Sequence, residues 1–259
     1  MAEALLISRN DIVKFTALNG NIDTDSFIQW IKVAQDIHIQ NYLGTNLLEK
    51  LQSDVTKLVT KVPTAVQVVA GGSGYSGSGL STTAIPPSVG SGMEVNCGFS
   101  GGSIVTAIVS NIQGSGYNVG DQVTVVGGNN DAILQISQLF FIPPDYLNLL
   151  NTYVKPMLIH WAMVEYLPFS AYTIANKGVF KHTSENATSV EKNEVDFLVE
   201  KERMIAQNYT ERFITYINFN NSLFPEYSTT QTRICSQVLK TILQVGIYEK
   251  KTQTKRNKH

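Results

Sequence analysis

The chain has 259 residues, 43% hydrophobic and only 16% charged, with a formal net charge of -1. That length holds one large domain or two modest ones, and the near-neutral balance gives no global pull toward nucleic acid. Two distant cysteines, Cys97 and Cys235, form no CxxC pair, which argues against a metal knuckle or redox motif and for free thiols in a reducing compartment.

The N-terminus lacks the basic start and the apolar length of a signal peptide, and no eighteen-residue apolar run exists. A soluble protein made in a cytoplasm is expected. Ser8, with Asp11 three residues on, reads as the N-cap of a short helix through Phe15. Asp23 or Thr24 caps a stronger one. There Phe27, Trp30, Ile31, Ala34 and Ile37 recur at three- and four-residue steps and share a face. Gly44 fits the left-handed residue that ends such a helix. Thr45 caps the next, whose stripe is Leu47, Leu48, Leu51, Val55 and Leu58, and Pro63 stops it.

Residues 62–138 differ in kind. They hold fifteen of the nineteen glycines, no lysine or arginine, and three acids, Glu94, Asp121 and Asp131. Short β-branched runs alternate with Gly-Ser-Gly, Gly-Gly and Asn-Asn, the chemistry of strands and tight turns. Gly72-Ser73-Gly74-Tyr75 returns as Gly114-Ser115-Gly116-Tyr117. Two copies are too few for a solenoid and fit a small β-sandwich or barrel whose turns need glycine and an anchoring tyrosine.

Helical rhythm resumes at Pro143-Pro144-Asp145. Leu147, Leu150, Val154, Leu158, Trp161 and Ala162 follow at helical spacing, with Pro156 expected to kink or divide the helix and Pro168 to end it. An extended segment is expected around Gly178-Val179-Phe180. A long helix over about 190–217 carries the stripe Val195, Leu198, Val199, Ala206, Tyr209, Phe213, Tyr216 and Ile217. A shorter amphipathic stretch, 234–247, precedes a basic tail. The expected fold class is α+β: a discontinuous helical bundle with an inserted small all-β domain. The core would be 1–62 and 139–232, the insert 63–138, and the C-terminal helix and tail 233–259.

Chemistry-bearing patterns are few. His38, His160, His182 and His259 lack metal spacing to another His or Cys. A satisfied interior or interface role suits His160, and a solvated helix face suits His38. The close carboxylate pairs, Asp23 with Asp25 and Glu200 with Glu202, read as electrostatic features. The glycine-rich insert lacks the Gly-Lys-Ser/Thr ending of a phosphate loop. No catalytic residue, metal or cofactor is expected, and the chain is not read as an enzyme. Tyr75 and Tyr117 are candidates for the insert surface, as sugar-stacking platforms or as turn anchors. Lys250, Lys251, Lys255, Arg256 and Lys258 are candidates for contact with a partner or with DNA, or form a solvated terminus.

The run Ala34-Gln35-Asp36-Ile37-His38-Ile39-Gln40-Asn41-Tyr42-Leu43-Gly44-Thr45-Asn46-Leu47 resembles an N-terminal motif of head–tail connector proteins of tailed phages, those of crAss-like phages included. The second arm is similar as well, through Tyr153-Val154-Lys155-Pro156, Trp161-Ala162, Glu165-Tyr166-Leu167-Pro168-Phe169, Asn176-Lys177-Gly178-Val179-Phe180 and Tyr209-Thr210-Glu211-Arg212. The insert lies outside that pattern and resembles Gly-Ser-Gly-Tyr β modules of phage structural proteins. The resemblance implies a virion protein of the neck, assembled in the host cytoplasm. Its copies would close into a ring, expected to be a dodecamer, between the portal protein and the next neck or tail ring protein. The insert would meet fibre or capsid proteins, DNA would pass through the channel only as cargo, and no membrane is involved. The basic tail would be the portal- or channel-facing element. The other reading is a binding module, whose β domain recognises carbohydrate or a receptor while the helices display it.

Overall fold

The computed structural model describes residues 4–17, 24–170, 172–175, 178–181 and 192–227. They divide into two compact units. One comprises Ala4 and residues 52–144, the other the described residues of 5–51 and 145–227.

The first unit is a six-stranded antiparallel sheet. Its strands are β1 (Pro63–Ala70), β2 (Leu80–Ala84), β3 (Ser91–Ser100), β4 (Ser103–Ser115), β5 (Gln122–Val125) and β6 (Ile133–Leu139). Their order is β1-β6-β5-β2-β3-β4. The sheet curls until its ends nearly meet, and the Ile104 amide, in β4, donates to the Gly71 carbonyl just past β1 at 2.8 Å. Near-closure removes most of the exposed edge that an open sheet would present. Side chains alternate along the strands. Met93, Val95, Ile104, Val123, Val125, Leu134 and Ile136 fill the interior, while Val105, Ile108 and Ile112 of β4 point outward and are exposed.

The repeated tetrapeptide explains itself here. Tyr75 and Tyr117 are both inside this core, and the glycines beside them let the backbone turn around each ring. Gly72, Gly74, Gly114 and Gly116 all have positive φ, between 60° and 82°. The two tyrosines differ in their polar ends. The Tyr75 hydroxyl donates to the Val125 carbonyl at 3.1 Å and accepts from the Ala132 amide at 3.0 Å. The Tyr117 hydroxyl is buried without a hydrogen-bond partner among the described residues. Tyr75→Phe is therefore expected to cost about 1–3 kcal/mol, because it strands two buried backbone groups. Tyr117→Phe should be neutral or stabilising by up to about 1 kcal/mol, because it removes a desolvated hydroxyl. Urea unfolding of the two variants checks this, and equal losses would refute the assignment.

The second unit is mainly helical. It contains α1 (Arg9–Phe15), α2 (Ile28–Ala34), α3 (Gln40–Leu43), the start of α4 (Thr45–Val59), α5 (Pro144–Asn148) from Asp145 on, α6 (Lys155–Tyr166) and α7 (Lys192–Phe219). A two-stranded hairpin, β7 (Tyr172–Ala175) with β8 (Gly178–Lys181), lies between α6 and α7 in sequence. Ser8 and Asp11 form the reciprocal capping box that starts α1. Two wide π turns interrupt the helices, at Gln35–Ile39 and at Leu149–Val154. The second ends just before Pro156, which has no N–H to give to an α-helical ladder.

This architecture overturns the expected fold class. The protein is not a discontinuous helical bundle with a small inserted β domain. It has mixed helix and strand content, and a nearly closed six-stranded antiparallel barrel is its largest single sheet. The helices do not make a bundle of comparable rods either. Most are one or two turns long and pack around α6, which meets α1, α2, the π turns and α7. Periodicity reports which face of a segment is buried, and it is silent on whether several such segments run alongside one another.

Candidate functional site

The strongest candidate is the outward face of α7. This helix has 28 residues and one buried stripe, in which Ala206, Phe213 and Ile217 are 0% exposed and Thr210 is buried with them. The Thr210 hydroxyl accepts from the Trp161 indole N–H at 3.1 Å and donates to the Ala206 carbonyl at 2.8 Å, so α6 and α7 are pinned by a fully satisfied polar contact. Beside it, His160 Nδ1 lies 2.7 Å from a Glu202 carboxylate oxygen, and its ring stacks on Tyr209. Tyr153 stacks on Tyr216 at 4.1 Å between centroids.

The opposite face of α7 is different. Phe197, Met204, Ile205 and Phe219 are exposed, Phe219 by 83%. Helical spacing puts Phe197, Lys201, Met204, Asn208, Thr215 and Phe219 near one line, at steps of four, three, four, seven and four. Two shallow concavities of about 430 and 520 Å³ flank that line. Arg212 and Asn208 border both. Aromatic, methionine and arginine side chains together are the composition that protein interfaces favour over open surface. Single exposed apolar residues are ordinary; here Phe197, Met204 and Phe219 share one line of a long helix with Lys201, Asn208 and Thr215.

The sequence-based site residues fall elsewhere. Tyr75 is 3% exposed and Tyr117 0%, so neither is a surface residue and neither offers a face to a sugar. Burial follows from the turns: the positions where Gly72 and Gly128 would carry a Cβ lie within 3 Å of the Tyr75 ring, and that of Gly90 lies 2.2 Å from Tyr117. The basic candidates Lys250, Lys251, Lys255, Arg256 and Lys258 lie outside the described residues, as do the amphipathic stretch 234–247, His182 and His259. His38 does not sit on a solvated face. Its Nε2 is 2.8 Å from Glu165, and its ring stacks on Trp161 at 4.0 Å, so this side of the helix is an interior contact. The partner lies 127 positions away in sequence, beyond the reach of any local pattern.

No group of three or more His, Cys, Asp or Glu among the described residues could hold a metal ion, and no described helix is long and apolar enough to cross a membrane. The Asp131 carboxyl is held below the usual carboxylate range, chiefly by the Ser73 amide donating to it, as befits a clamp on the Ser73 turn. Burial pushes the Cys97 thiol and the Tyr42 and Tyr166 hydroxyls up. None of these forms a nucleophile–base pair with a neighbour in the contacts described above.

Comparison with known proteins adds one similarity. Residues 129–237 match the model of a family of unknown function, DUF6712. The matched stretch is less than half of the chain. It begins just before β6 and covers α5, α6 and α7, so the candidate face lies wholly within it. Neither the curated proteins nor the solved structures compared with the chain contain a match.

Proposed function

We propose that the protein is a structural component of a tailed phage's neck. Its copies would close into a ring that joins the portal to the tail and prolongs the DNA channel. The observation that carries this reading is the outward face of α7, a 28-residue helix with one face fixed by α6 and exposed Phe197, Met204 and Phe219 on the other, with Arg212 bordering the concavities there. A ring requires each subunit to offer two different patches to its neighbours, and heterologous contacts that close around an axis satisfy both without a free end. The α7 face is one such patch. The resemblance of the α2–α4 and α5–α7 segments to head–tail connectors supports the same reading from the sequence side.

The alternative is a module whose β domain recognises carbohydrate or a receptor. Its sugar-stacking version named Tyr75 and Tyr117, and both rings are interior, which leaves that version without its platforms.

The test is assembly on the portal protein encoded in the same genome. Mixed with it, the purified chain should add a ring of density below the portal in electron micrographs. Ile205→Glu, at a site 41% exposed, should leave the circular-dichroism spectrum unchanged and abolish the ring. Portals that remain bare with the unmodified chain refute the proposal. Rings that form equally well with Ile205→Glu refute the role of α7.

A further inference from the structure

The helical unit also holds a cavity of about 530 Å³ bordered by α1, α6 and α7, a volume in the range of small-molecule sites. Its wall is chemically divided. Phe15, Pro156 and Ile159 form an apolar side. Lys14, from α1, and Lys155, from the first turn of α6, both border it. Neither lysine has an ion-pair partner among the described residues. The Lys14 ammonium lies 5.5 Å from the centre of the Phe15 ring, so that side chain spans the two halves of the wall.

The other polar groups leave room for an anion. Asp11 is the one acid on the cavity wall among the described residues, and one of its oxygens already accepts from the Ser8 amide and hydroxyl at 2.8 and 2.9 Å. His160 is engaged through Nδ1 by Glu202. Asn151 and the Tyr209 ring complete the rim. Asn151 belongs to the π turn that precedes Lys155, and such turns concentrate at functional sites. Here Pro156 supplies a structural cause for the wide turn, and the turn also sets Asn151 beside Lys155 on the cavity wall.

We propose that this cavity binds a small organic carboxylate with an aromatic or branched apolar body. The carboxylate sits between Lys14 and Lys155, and the body covers Phe15, Pro156 and Ile159. Two lysines bordering one cavity can both donate charge-assisted hydrogen bonds to an anion held there. The apolar wall rewards a ligand that carries more than charge. This inference is independent of the ring reading, because it concerns the isolated chain.

Saturation-transfer NMR and calorimetry on the full chain test it, with indole-3-acetate, its neutral amide and inorganic phosphate as probes. Indole-3-acetate should bind saturably at one site per chain. The double variant Lys14→Met, Lys155→Met should weaken it about tenfold or more, as loss of charge-assisted bonds predicts. Circular dichroism establishes that this variant is folded, and Lys155→Gln alone, expected to weaken binding by a smaller factor, serves if it is not. The amide should fail to compete, and phosphate should compete only weakly. Unchanged affinity in the lysine variants, or equal binding of the amide, overturns the carboxylate site. Phosphate binding as well as indole-3-acetate overturns the apolar half, and no saturable binding of any probe overturns the whole.

Discussion

Gly114→Ala is expected to destabilise the barrel by about 2–5 kcal/mol, a large fraction of the stability of an ordinary domain. The sum has two parts. Gly114 has φ +68°, a left-handed conformation that costs an L-residue about 1–2 kcal/mol. An added Cβ would also lie 2.3 Å from the Ser91 carbonyl oxygen and 2.6 Å from the Met93 nitrogen. Both are backbone atoms of β3, so no side chain can swing away, and overpacking of this kind adds roughly 1–3 kcal/mol. Gly92 has φ +78°, and a Cβ added there would lie 3.6 Å from the Gly114 Cα, so β3 and β4 pass backbone to backbone at this point. Gly101→Ala is the control. It has φ +58° with nothing within 4 Å of its Cβ position, and should show only the conformational part. Hydrogen exchange of the β3 and β4 amides reads the barrel separately from the helical unit, which a single melting curve would not. If Gly114→Ala loses no more protection than Gly101→Ala, the close crossing is wrong.

Local chemistry was legible in the sequence, and whatever depends on distant partners was not. The Ser8–Asp11 cap, the left-handed Gly44 and the strand-and-turn character of 62–138 are each written within a few residues. Strand order is not, because β2 sits between β5 and β3, and β1 pairs with β6 across the whole segment. Barrel closure, likewise, joins the two ends of that segment. The helix stripes show a subtler limit. Phe27, Ile31 and Ala34 are buried as their spacing predicts, yet Ile37 is 51% exposed and Ile39 is fully buried. The π turn at Gln35–Ile39 is the reason: its wider spacing rotates the inward face away from the position that 3.6-residue periodicity assigns. Gln35 turns inward with it and accepts a hydrogen bond from the Leu6 amide at 3.0 Å. On α7 the stripe was half right. Ala206, Phe213 and Ile217 are interior, but Leu198 is 46% exposed, because the buried face needs a neighbour along its whole length.

The outward face of α7 was missed for a related reason. Phe197, Met204 and Phe219 are far apart among charged residues, so the row looks like scattered exceptions on a polar side. Only once Ala206 and Phe213 are fixed as inward does their common direction emerge. The signal was present as a spacing of seven between Phe197 and Met204, with Lys201 between them.

Substituting the two α7 phenylalanines separates fold from assembly. Phe213→Ala should cost about 3–5 kcal/mol, the usual range for removing a fully buried aromatic ring. Phe213 is 0% exposed and meets Tyr227 edge to face at 6.3 Å, where the chain folds back along α7, so the surrounding side chains cannot collapse into the gap without unseating that return. Loss of helical ellipticity at lower urea concentration measures it. Phe219→Ala, six residues on and 83% exposed, should change stability by less than about 0.5 kcal/mol. If α7 carries a ring contact, the same change should weaken assembly on the portal while the free chain unfolds as before. A helix that served only to complete the fold would show the opposite ranking in neither assay: Phe213→Ala would still destabilise it, but Phe219→Ala would be silent in both. The assembly assay on Phe219→Ala is therefore the measurement on which the assignment of this face turns.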